Sequence, residues 1–221
     1  LIANASRSKL YYDLLEMPST DKGLERILQV DIARGFQEET VIRAGFNGSG
    51  VSKNNRVIER HDSVYGAFWR SHDFSDNSGR QNIFENPLGP LAGKHSFKPA
   101  GGETIFHLPN GMQGYMLVNG DGQRVERGPI EIVSDPNRPD RQVEAGISCM
   151  NCHGKGLIPK DDQVRAHVEK NAAAFPGSVL DNVRAPHPPP RRFRALLDAD
   201  TRRYQTALQS AGVPVEAPDP V

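Results

Sequence analysis

The chain has 221 residues, enough for one large domain or two small ones, and its 27 Lys and Arg balance 27 Asp and Glu, so no bulk charge favours nucleic acid. Only 37% of residues are hydrophobic while 21 are Gly and 17 are Pro, which predicts many turns and an apolar core thin for the length. No run of about 18 apolar residues and no basic-plus-apolar leader occurs, so neither a transmembrane segment nor a signal peptide is expected here, and the start at Leu1 suggests a processed or excised segment.

In chain order, Ser8 to Glu16 carries Leu10, Leu14 and Leu15 at helical spacing. Thr20 can cap a second short helix whose apolar face is Leu24, Ile27 and Leu28. Val41 to Phe74 is irregular and aromatic, with Phe46, Tyr65, Phe68, Trp69 and Phe74 separated by Gly and Asn turns, and reads as short strands and loops. Gly101 to Asp135 predicts a β-meander. Its strands are Glu103 to His107, Met112 to Val118 and Gln123 to Glu126, joined by turns at Pro109-Asn110-Gly111 and at 119–122, with Pro129 to Val133 as a further strand. Asp161 or Asp162 can start a helix bearing Val164 and Val168. A longer helix follows Pro188 to Pro190, with Phe193, Leu196, Leu197, Tyr204 and Leu208 on one stripe and Gly212 as its stop.

Between the meander and these helices stands Cys149-Met150-Asn151-Cys152-His153, the Cys-x-x-Cys-His signature of c-type haem attachment. Two cysteines three apart lie on one side of a helical turn, where both thiols reach the vinyl groups of one porphyrin edge. The adjacent histidine then falls beneath the metal. In this reading Cys149 and Cys152 form thioethers and His153 is the proximal ligand of one covalent haem c. Zinc would call for a second Cys/His pair, but these are the only two cysteines. A thioredoxin-like redox pair would call for a βαβ setting, which the flanking residues do not supply. Both thiols are thus consumed, and since such haem is attached outside the bacterial inner membrane, the expected location is periplasmic or otherwise exported.

The ligand opposite His153 decides the role, because a second strong ligand favours electron transfer and an open face allows chemistry on bound molecules. Met150 lies between the cysteines and cannot reach across the ring. Met17, Met112 and Met116 are candidate sulfur ligands, although Met more often fills core gaps. His72, His95, His107, His167 and His187 read as packing or surface histidines. His61 differs, because it stands in Asn55-Arg56-Val57-Ile58-Glu59-Arg60-His61-Asp62 among two guanidiniums and two carboxylates. On a helical turn Arg56 and Arg60 would share one side and pair with the haem propionates. His61 is then either the distal ligand or a distal acid/base with Arg56 or Arg60 stabilising negative charge on bound peroxide, and the sequence leaves the two open.

The chain resembles a group of bacterial, planctomycete-type exported cytochrome c domain proteins. The resemblance runs through Arg43-Ala-Gly-Phe, Ser49-Gly-Val-Ser, Asn55 to His61, Gln81-Asn-Ile-Phe, Pro87-Leu-Gly-Pro90, Leu108-Pro-Asn-Gly111, Ile132-Val-Ser-Asp135 and Gly146-Ile-Ser-Cys149, and on through the haem motif, covering most of residues 8–212. It implies covalent haem at Cys149, Cys152 and His153, and export. In that group the segment resembling Glu59-Arg60-His61 recurs while the Met17, Met112 and Met116 positions vary, which favours His61 as the distal residue. Members are often longer, so this chain is expected to be one module of a larger polypeptide.

The expected fold is α+β: a mainly helical C-terminal haem section, an N-terminal section of helices and loops, and an inserted antiparallel β-meander. One haem-containing domain should cover 1–212, divided into a helical and aromatic loop section (1–100), the meander (101–135) and the haem-attachment section with its C-terminal helices (145–212). Residues 213–221 read as a Pro-rich tail or linker. The expected function is a monohaem periplasmic cytochrome carrying single electrons for an unidentified redox partner. The alternatives are a peroxidase-like or small-molecule reductase enzyme with a distal His61/Arg site, and a haem-based ligand-sensing module.

Overall fold

The computed structural model describes residues 8–90 and 93–216. Among the described residues seven α-helices and eight strands follow one another: α1 (Ser8–Leu14), α2 (Asp21–Ile27), α3 (Ile32–Gln37), β1 (Ile42–Asn47), β2 (Asn55–Ser63), β3 (Gly66–Asp73), β4 (Gly101–His107), β5 (Gln113–Asn119), β6 (Arg124–Val125), β7 (Arg127–Gly128), β8 (Val143–Glu144), α4 (Ile147–His153), α5 (Val164–Lys170), α6 (Gly177–Arg184) and α7 (Pro190–Ser210). Among the described residues no helix is long and apolar enough to cross a membrane.

The organising element is a six-stranded antiparallel sheet in the order β1-β2-β3-β4-β5-β6, so each strand pairs with its neighbour in sequence. The expectation of a mainly helical haem fold is therefore wrong. The meander does not interrupt a helical protein but continues β1 to β3, which form one sheet with it in the stretch from Val41 to Phe74 expected as short strands and loops. Their charge pattern hides them. β2 is buried on both faces, and four of its buried or half-buried positions are Arg56, Glu59, Arg60 and His61, so it lacks the apolar/polar alternation of a half-solvated strand.

Register sorts the side chains into two faces, because successive residues of a strand point to opposite sides. The pairs Arg56↔Asp73, Ile58↔Ser71 and Arg60↔Trp69 continue through Trp69↔Ile105 and Glu103↔Leu117 and define one face. The pairs Glu59↔Arg70, His61↔Phe68 and Val57↔His72 continue through Arg70↔Thr104 and Thr104↔Met116 and define the other. On the first face α7 packs across the sheet, with Phe193 edge-on to Trp69, ring centroids 6.1 Å apart. On the second, Val164, Val168, Val179 and Val183 of α5 and α6 close a separate core with Val57, Phe74, Ile83 and Phe97.

Where β6 pairs only briefly with β5, tyrosines finish the edge. Tyr115 N–H donates to Tyr11 Oη at 2.8 Å, and Leu117 N–H donates to Tyr12 Oη, which donates onward to the Val125 carbonyl at 2.8 Å. The buried residues of α1 are thus Tyr11 and Tyr12, whereas Leu10 and Leu14 of the expected apolar stripe are 44% and 61% exposed. Thr20 caps α2 as expected, accepting from Gly23 N–H at 3.0 Å, and α7 starts at its proline and buries the expected stripe at Phe193, Leu197, Tyr204 and Leu208. Pro129 to Val133 forms a turn rather than a strand, its Ile132 and Val133 N–H groups both donating to the Pro129 carbonyl. Of the expected tail, residues 217–221 lie outside the described residues.

Candidate haem cleft

Helix α4 carries the Cys-x-x-Cys-His stretch and begins at Gly146, whose φ of 82° turns the chain into it. Residues 149, 152 and 153 share one helix face by their spacing of three and four. That face looks onto the first side of the sheet. Cys149 is buried, Cys152 is half-buried, and both are free thiols. Burial, with the Glu103 carboxylate beside it, pushes the Cys149 thiol well up, and burial pushes Cys152 up to about 11. Both thiols are therefore protonated at neutral pH, which is the opposite of what a nucleophilic or disulfide-exchanging cysteine needs. Among the described residues no group of three or more His, Cys, Asp and Glu is arranged to hold a bare metal ion.

His153 is oriented on three sides. Its Nδ1 lies 3.2 Å from the Gly156 carbonyl, which only accepts, so that contact requires a proton on Nδ1 and turns Nε2 toward the cleft. Nε2 faces Glu103, whose Oε2 is 3.8 Å away, and the Tyr115 ring lies nearly parallel to the imidazole at 6.2 Å and 27°. The carbonyl itself is held in place. Gly156 N–H returns to the His153 carbonyl at 2.9 Å, and Thr201 of α7 accepts from Leu157 N–H at 3.2 Å.

Cys149, Cys152 and His153 line a cleft of about 1180 Å³, part of it open to solvent. Its walls are mainly apolar, with Phe46, Ile58, Trp69, Ile105, Leu117 and Val125 from the sheet and Leu197 from α7. Polar groups enter at Arg56, Asp73, Glu103, Asp135 and Lys160. Arg56 Nε pairs with Asp73 Oδ1 at 2.6 Å, and burial pushes the Asp73 carboxyl up despite that guanidinium. In the chemistry of its donors the set fits a covalently held porphyrin: two thiols and an imidazole on one helix turn, a mainly apolar wall beside them, and the cations Arg56 and Lys160 for anionic substituents.

The other residues singled out from the sequence do not converge on this cleft. His61 lies on the opposite face of the sheet, its Nε2 2.7 Å from Glu59 Oε1 and its ring packed against Phe36 and Phe68. The helical turn imagined for Arg56 and Arg60 is a strand. Both side chains share the cleft face by parity, but Arg60 binds Asp200 at 2.8 Å and Asp62 at 2.7 Å, and only Arg56 lines the cleft. Met116 is fully buried on the far face, Met17 is in the core, and Met112 falls in the β4–β5 connection. Among the described residues lining the cleft, His153 is the sole histidine and no methionine occurs. Trp69, Asp73, Glu103 and Asp135 complete the cleft and were not foreseen, since their partners lie on other strands and helices.

No family model, no curated protein and no solved structure matches this chain.

Proposed function

We propose that the cleft holds one haem c and that the protein is an exported monohaem redox protein whose iron also takes up an external small molecule. The observation that carries this reading is the placing of Cys149, Cys152 and an Nδ1-anchored His153 on the wall of one apolar cleft. Bound haem supplies an iron that can change oxidation state and coordinate small molecules.

In this reading the chain's own residues divide the work. Cys149 and Cys152 tether the macrocycle through thioethers, and His153 offers Nε2 to the iron while the Gly156 carbonyl fixes its tautomer and ring angle. Arg56 and Lys160 supply positive charge for the propionates, and the apolar walls lower the local dielectric around those charges. Bis-histidine ligation through His61 is not retained, because that side chain is committed to Glu59 across the sheet. The role therefore moves from a sealed single-electron carrier toward a haem that meets small molecules. Periplasmic or other exported location follows from where such haem is attached, in line with the resemblance to exported cytochrome c domain proteins.

The test is an absorption spectrum of ferric and ferrous protein, made in cells able to attach haem c, with and without carbon monoxide. Haem that survives acid-acetone extraction and a ferrous spectrum that shifts with carbon monoxide are expected, with Cys149→Ala and Cys152→Ala losing the covalent link. Haem that extracts freely would overturn the cofactor assignment. A low-spin spectrum indifferent to carbon monoxide would restore the plain electron carrier.

A further inference from the structure

The cleft wall contains one readily oxidised side chain with a base on its proton. Trp69, the single tryptophan of the chain, forms part of that wall, and its Nε1–H donates to Asp200 Oδ2 at 2.9 Å. Asp200 also takes Arg60 Nε at 2.8 Å, and Arg60 reaches Asp62, whose side chain is 71% exposed. Trp69 thus joins the cleft to a charged chain that ends at the molecular surface.

Tryptophan and tyrosine give up a single electron most easily among side chains, and a nearby base that takes their proton keeps the resulting radical in place. Tyr115 stacks on His153, but its hydroxyl donates to Gln113 Oε1, and Tyr12 donates to the Val125 carbonyl. Neither an amide nor a backbone carbonyl accepts a proton at neutral pH. Trp69 instead donates to a carboxylate oxygen, a base for the proton that an oxidised indole sheds.

We propose that Trp69 relays single electrons from an external donor to the cofactor in the cleft, with Asp200 holding its proton. This rests on the haem reading above and extends it to substrate class: the oxidant is a hydroperoxide and the donor a phenol. Reducing the hydroperoxide to water and an alcohol takes two electrons and two protons, supplied one of each by two phenols that end as phenoxyl radicals, and each electron is first given up by the Trp69 indole. The Nε1–H bond breaks as it does so, and the proton passes to Asp200 Oδ2. A phenol then returns one electron to the indole, the proton goes back from Asp200 to Nε1, and the pair ends as it began.

The experiment mixes ferric haem-loaded protein with hydrogen peroxide, freezes it within milliseconds and reads it by electron paramagnetic resonance. Ring-deuterated tryptophan identifies the radical, and with one tryptophan in the chain a label-sensitive signal can come only from Trp69. The expected result is such a signal, quenched by added phenol, absent in Trp69→Phe and reduced to traces in Asp200→Asn. Haem that survives acid-acetone extraction from Trp69→Phe will show that the cofactor is still attached in that variant. No radical, a tyrosine-label-sensitive radical, or one that survives Trp69→Phe overturns the relay while leaving the haem assignment standing. An unchanged signal in Asp200→Asn overturns the proton-holding role. Absence of thioether-bound haem overturns both readings.

Discussion

His61 Nε2 lies 2.7 Å from Glu59 Oε1, two residues away on the same strand and the same face of the sheet, with the backbone of the sheet between this contact and His153. Glu59 is fully buried. Burial alone would push its carboxyl up, but the guanidiniums of Arg43 and Arg70, at 2.5 Å and 2.7 Å, outweigh burial and hold it well below the usual range. His61 is thus one partner of a buried carboxylate. Replacing it by Ala should lower unfolding free energy by about 1–3 kcal/mol, the cost of leaving a buried polar group unmatched, and leave the haem spectrum untouched. Urea unfolding read beside the absorption spectrum checks this; a changed spectrum in a stably folded His61→Ala protein would place His61 at the iron after all.

The same network explains what could be read from the sequence. β4, β5, the Thr20 cap and α7 were legible because their signals are local: a Pro-Asn-Gly turn, a capping threonine, an apolar stripe opened by proline. β2 was not. Its Glu59 pairs with Arg43 across β1 and with Arg70 across β3, and its Arg60 with Asp200 on α7, so charges that look like a solvated turn are neutralised by groups distant in sequence. The spacing of Arg56 and Arg60 suits a helix face and a strand face equally, since four residues preserve both. In the site, Cys149, Cys152 and His153 were legible as a continuous motif, whereas Trp69, Asp73 and Glu103 reach the cleft only through strand register.

His72, on the same buried face as Glu59, gives a pH dependence of definite sign. Burial pushes its pKa down to about 4, against the pull of the Glu59 carboxylate 3.8 Å away. The unfolded chain, with histidine near 6.5, therefore binds more protons between these limits, and stability must fall as pH is lowered from about 6.5 toward 4, by up to about 3 kcal/mol at the lower end. Glu59, depressed in the fold, acts in the same direction at lower pH. Denaturant midpoints measured between pH 4 and 7 should show the slope, and His72→Phe, which can keep the ring contact with Phe97, should flatten it. An equal slope in the variant would assign the pH dependence elsewhere.

Gly156 holds the carbonyl that orients His153 at φ +109°, where a Cβ would come within 2.6 Å of Thr201 Cγ2. Gly156→Ala is strained in backbone and crowded in space, and should cost more than about 1 kcal/mol. The displaced carbonyl would also free the imidazole to rotate. The expected signature is a broadened or shifted ferrous carbon monoxide spectrum, with Thr201→Ser recovering part of the stability by removing the methyl that the new Cβ strikes. Failure of Thr201→Ser to recover any would show that backbone strain alone sets the cost.

Arg56 and Asp73 form the buried ion pair at the polar part of the cleft, Nε to Oδ1 2.6 Å, with Ser71 Oγ donating to Asp73 Oδ2 at 3.0 Å. Removing one partner of such a pair strands the other charge away from water, which typically costs about 3–5 kcal/mol, whereas replacing both by neutral groups costs far less. Arg56→Gln should therefore be strongly destabilising at neutral pH and relatively less so in mild acid, because burial already pushes the Asp73 carboxyl up and a proton then neutralises it in place of Arg56. Adding Asp73→Asn should return most of the stability. A double-mutant cycle in urea measures the coupling. Additive losses in that cycle would mean that the pair is no stability element, and that Arg56 is kept in the cleft for the charge it presents to the occupant.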